Sequence, residues 1–63
     1  MRYDFTYRDL TDGYDDEYQS NNHKSLSEAR EAWSIIRNNY GGEVRIIETW
    51  IHDDDGEYVG RWL

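Results

Sequence analysis

SLSEAREAWSIIRNNYG, residues 25–41, holds the start, body and stop of one helix, and its reading decides the fold. Ser25 and Glu28 form a capping box, the hydroxyl taking an orphan N–H and the carboxylate reaching back. Leu26, Ala29, Trp33, Ile36 and Tyr40 recur at spacings of three and four, which places them on one face. Gly41 follows as the residue best able to take the left-handed conformation that ends a helix.

Both flanks are strands. Tyr3, Phe5 and Tyr7 alternate with Asp4, Thr6 and Arg8, so residues 2–10 read as a half-buried strand with its aromatic side towards the helix. Thr11-Asp12-Gly13 supplies a turn. Tyr14 and Tyr18 are the only large residues of the next segment, which predicts a short, frayed edge strand, with residues 21–24 leading into the helix. Beyond Gly41-Gly42, residues 43–51 are rich in Val and Ile and form the best strand of the chain. Asp53-Asp54-Asp55-Gly56 is a hairpin loop, and residues 57–63 return as the last strand.

The order is therefore ββαββ, an α+β fold in one domain, residues 1–63. A helix crossing one face lets the third strand lie antiparallel beside the first, giving a four-stranded antiparallel sheet in the order 2-1-3-4. The two hairpin tips then point to opposite ends, roughly 20 Å apart at 3.3 Å per residue. The second hairpin offers two faces to the helix: Arg45, Ile47, Thr49 and Ile51 with Tyr58, Gly60 and Trp62, or Val44, Ile46, Glu48 and Trp50 with Val59, Arg61 and Leu63. The first is the expected one, because the second has the charges Glu48 and Arg61 at its centre. The expected core is Phe5, Leu26, Ala29, Trp33, Ile36, Ile47 and Ile51. Large residues such as Trp50 remain on the uncovered face, and an exposed patch of that kind usually marks an interface.

Composition bounds the function. Sixty-three residues allow one small core, and a chain this short has marginal stability. There is no cysteine for a disulfide, thiolate metal site or thiol nucleophile. No apolar run is long enough for a membrane span and no signal peptide is evident, so a cytoplasmic location is expected. Fourteen acids face seven bases, a net charge of −7, which opposes direct nucleic-acid binding and suits a basic protein partner. Three Trp, six Tyr and one Phe oppose disorder.

The acidic loops lack the alternating spacing of a calcium loop and read as solvated turn carboxylates. His23 and His52 have no nucleophile and orienting acid at a telling spacing, so neither catalysis nor a cofactor is expected. Tyr3, Phe5 and Tyr7 could imitate an RNA-binding platform, but the surrounding charge has the wrong sign and the core accounts for them. Acid clusters at both ends of a compact body, with aromatic surface between, suit the nucleic-acid groove of another protein; excess acid also serves solubility. The expected partner-binding residues are Asp12, Asp15, Asp16, Glu17, Trp50, Asp53, Asp54, Asp55, Glu57 and Tyr58.

The tyrosine-rich first strand, the polar hairpin, Ser25-Leu26-Ser27-Glu28-Ala29 and Gly42-Glu43-Val44-Arg45-Ile46-Ile47-Glu48-Thr49 together resemble small phage-encoded anti-CRISPR proteins. The nearest layout is a type I-F inhibitor family with one helix on an antiparallel sheet. The likeness implies a phage or mobile-element protein that blocks a host defence complex by binding it in the host cytoplasm. Members of that family grip the guide-loaded complex partly through basic residues, most of which this chain lacks, so no binding residue is carried over. Other anti-CRISPR proteins are acidic and imitate DNA, which matches the charge here. The alternative is a structural or regulatory module that homodimerises through its uncovered sheet face.

Overall fold

A computed structural model describes residues 1–10, 16–40 and 43–63. The elements are β1 (Arg2–Asp9), β2 (Asp16–His23), α1 (Leu26–Asn39), β3 (Val44–His52) and β4 (Tyr58–Gly60). They form one four-stranded antiparallel sheet in the order β2-β1-β3-β4. β3 lies beside β1 because α1 returns the chain over one face, and no parallel pair is needed. The helix starts as its sequence dictates: the Ser25 Oγ accepts from the Glu28 N–H at 3.1 Å. Glu28 reaches back one residue further than a simple capping box requires, accepting from the Lys24 N–H at 2.9 Å. At the other end Tyr40 is extended and donates its N–H to the Ile36 carbonyl at 3.2 Å. The expected stop at Gly41 lies outside the described residues.

The core is a nest of rings on β1. Phe5 is fully buried and meets Tyr7, His23, Trp33 and Trp62, with centroids 5.7 to 6.2 Å apart. Tyr7 adds Trp33, Tyr18 and Tyr40 to the same face. Ala29 is fully buried, the small residue that lets the helix approach the sheet. The helix covers β1 and β2. Over β3 the cover is Trp62, whose place is made by a small residue, the buried Thr49. Thr49 Oγ1 accepts the backbone N–H groups of Trp62 and Leu63 at 3.2 and 3.1 Å. The Trp62 indole N–H donates to the Asp4 carbonyl at 2.9 Å.

Three strand irregularities correct the expected faces. Thr6 opposes Glu48 while Tyr7 opposes Ile46, so Ile47 is the extra residue of a bulge and is 39% exposed rather than in the core. Val44 and Ile46 therefore share the helix side with Thr49 and Ile51, in place of Arg45 and Ile47. His52 pairs with Tyr58 and Ile51 with Gly60, which makes Val59 extra and puts Tyr58 on the uncovered face. Lastly, β2 is not short: it runs eight residues to His23, with Asn21 and Asn22 taking up the irregularity opposite Asp4. The last strand is the short one, three residues instead of seven.

Two outcomes follow from this packing. Phe5→Ala removes the ring that four others contact and should cost about 3–5 kcal/mol in urea denaturation; Trp33, only half-buried, should cost less when truncated. Burial, then the hydrogen bond to Tyr40, pushes the Tyr7 hydroxyl up to about 12 from 10.0. A folded-state value above the unfolded one gives stability that is whole below pH 10 and falls as pH rises towards 12. Tyr7→Phe should flatten that alkaline loss in a pH series of melting curves.

Candidate functional site

The alternation that sends Phe5 and Tyr7 to the helix sends Arg2, Asp4, Thr6 and Arg8 to the uncovered face. Asp4 is only 6% exposed there. A carboxylate so placed needs partners, because burial without them costs several kcal/mol. Its Oδ1 accepts the Asn22 backbone N–H at 2.6 Å, and its Oδ2 accepts Arg2 Nε at 3.2 Å. His52 Nδ1 lies 3.3 Å from the same Oδ2, within ion-pair reach but off hydrogen-bond alignment. Asn22 has φ of 68°, a left-handed conformation that asparagine tolerates better than most residues. The Asp4 carboxylate thus fixes the irregular end of β2 to the centre of the sheet.

Around Asp4 the three strands enclose an open hollow of about 360 Å³, lined also by Arg2, Gln19, Asn21, Asn22, Trp50 and His52. The Tyr58 ring, 57% exposed, stands edge-on to His52 at 6.2 Å, extending the aromatic surface beside the hollow. Of the expected partner-binding residues, Trp50 and Tyr58 therefore share one face.

The expected acids divide between the two ends of the sheet. Asp16 and Glu17 are exposed at the start of β2, where Glu17 pairs with Arg8. Negative charge at Asp16 raises the Tyr18 hydroxyl above its ordinary value. Asp12 and Asp15 lie outside the described residues. At the opposite end, Asp53 is structural: its Oδ1 accepts the N–H groups of Asp55 and Glu57 at 3.0 and 2.9 Å. Gly56, with φ of 84°, completes that turn. Asp54, Asp55 and Glu57 project into solvent, Asp54 beside the amino group of Met1 at 3.0 Å.

No three His, Cys, Asp or Glu among the described residues are grouped to hold a metal ion. One pair missed in the sequence is Ser20 Oγ and His23 Nε2, 2.7 Å apart. The ring of His23 is stacked on Phe5 with an 18° interplanar angle, on the helix side of the sheet and away from the hollow. Asp4 was also missed as an organising residue, since an acid in an alternating strand ordinarily faces water. No helix among the described residues is long and apolar enough to cross a membrane. Comparison with protein-family models, curated proteins and solved structures finds no match for this chain.

Asp4→Ala would leave the Asn22 N–H unsatisfied and should destabilise the fold by about 1–3 kcal/mol. Asn22→Gly should be nearly neutral, whereas Asn22→Val should cost about 1–2 kcal/mol because a β-branched residue resists positive φ. Chemical denaturation of the three variants checks the order.

Proposed function

We propose that this is a non-catalytic, acidic protein-binding inhibitor that occupies a basic, nucleic-acid-handling surface of a host defence complex in the cytoplasm, as anti-CRISPR proteins of phage and mobile elements do. The observation that carries the reading is the distribution of charge on this fold. Exposed carboxylates stand at both ends of the sheet, at Asp16 and Glu17 and at Asp54, Asp55 and Glu57. Trp50 and Tyr58 lie on the face between them. The acids would steer a positively charged partner into place, and the aromatic side chains would supply buried contact. The net charge of −7 rules against nucleic acid itself as the ligand. The uncovered face is interspersed with Arg2, Asp4, Arg8, Glu48 and amide side chains, which supports a polar hetero-interface over an apolar homodimer.

The test is binding to purified guide-loaded surveillance complexes and defence nucleases at low and high salt, with and without competing DNA. Asp54, Asp55 and Glu57 changed together to Lys should slow association by about tenfold or more at low salt and reduce its salt dependence, with the melting temperature little changed. Asp53 is spared because its carboxylate builds the turn. Capture and salt dependence unchanged by the reversal would refute electrostatic recognition. A salt-insensitive homodimer that binds no basic partner would replace this reading with the structural one.

A further inference from the structure

We propose that the hollow on the uncovered face is a binding site for a neutral sugar, with a pyranose ring laid against the Trp50 indole. The register sets out the site. Asp4 opposes Trp50 on β3 and faces the Asn21–Asn22 irregularity of β2, so the indole and the two asparagines flank a carboxylate floor. Arg2 pairs with His52 and closes one end, while Gln19, opposite Thr6, stands at the other. A sugar ring has an apolar C–H face for an aromatic surface and a rim of hydroxyls that both donate and accept. The walls match that rim. Arg2 donates through the guanidinium N–H groups that Asp4 does not take, and the amides of Gln19, Asn21 and Asn22 both donate and accept. No side-chain bond within the described residues occupies those three amides, so they are available to a guest. The volume of about 360 Å³ falls at the small end of ligand sites, which suits a mono- or disaccharide.

Charge decides against the other occupants. The Asp4 carboxylate and the Arg2 guanidinium offset one another at 3.2 Å, so a neutral guest suffers no electrostatic penalty. An anion would meet the floor carboxylate and a chain of net charge −7. A guanidinium or ammonium guest would find no unpaired carboxylate in the hollow, since both Asp4 oxygens are already engaged by Arg2 and the Asn22 N–H. A nucleobase could stack on the indole, but its phosphates would find no cluster of cations to hold them. The proposal shares Trp50 with the inhibitor reading but none of the tip carboxylates, so charge reversal at the tips tests that reading without touching the hollow.

The test is a titration of the whole protein, isotopically labelled, with glucose, galactose, mannose, N-acetylglucosamine and their disaccharides. Adenosine and N-acetylarginine amide are the competing chemistries. The indole N–H signals of Trp33 and Trp62, on the other face, are internal references. At least one sugar should shift the Trp50 indole and the Asn21, Asn22 and Gln19 amides saturably, half-complete at about millimolar concentration, as few-contact ligands do. Trp50→Ala should weaken that binding tenfold or more. Should that variant fail to fold, Gln19→Ala and Asn21→Ala, both at exposed positions, should each weaken it by about two- to tenfold. The proposal is overturned if no sugar moves the Trp50 signal up to about 100 mM. It is equally overturned if adenosine or the arginine amide binds more tightly than every sugar, or if the folded variants bind sugar as the parent does.

Discussion

The burial of Phe5 is the contact on which the rest of the structure depends. It is the one large side chain among the described residues that is wholly removed from water, and every ring around it comes from a different part of the chain. Tyr7 extends it along β1, His23 comes from β2, Trp33 from the helix and Trp62 from beyond β4. A chain this short has little aliphatic core, and aromatic side chains bury the most area per residue ordered. The helix is too narrow to roof all four strands. Trp62 completes the cover, and Thr49 is small enough to admit it while satisfying two backbone N–H groups at the chain's end.

Central position has a consequence on the other side of the same strand. β1 has neighbours on both edges, so its outward residues are walled in even where no helix covers them. Asp4 is buried by that crowding, and its carboxylate draws in the Asn22 backbone and Arg2. The uncovered face is therefore not the plain apolar patch that an unroofed sheet would offer. It is a polar concavity with one indole wall and Tyr58 at its margin. Each buried polar group there penalises any guest or partner that would leave it unpaired.

Much of the architecture was legible in the sequence. The cap at Ser25 and Glu28, the helical period through Trp33 and Ile36, and the alternation at Tyr3, Phe5 and Tyr7 led directly to the element order and to the sheet order 2-1-3-4. What escaped was local. A bulge inverts the facing of every residue beyond it, and nothing in residues 44–52 marks Ile47 as the extra one. The same effect at Val59 moved Tyr58 from the helix side to the open side. Asp4 looked like a solvated acid because strand alternation says nothing about how deeply a central strand is walled in. The exposed acids of the β3–β4 loop were legible; the structural use of Asp53 within the turn was not, since the carboxylate type is the same.

The central claim is that β1, with Phe5 on one face and Asp4 on the other, holds the remaining elements together. Native-state hydrogen exchange across β1, β2, β3 and β4 tests it most directly. The account predicts that β1 amides exchange only through global unfolding, that the Asn22 N–H held by Asp4 is protected nearly as well, and that β4 opens first. Slower exchange in the β3–β4 hairpin than in β1, or an Asn22 amide exchanging at the rate of a free chain, would contradict it.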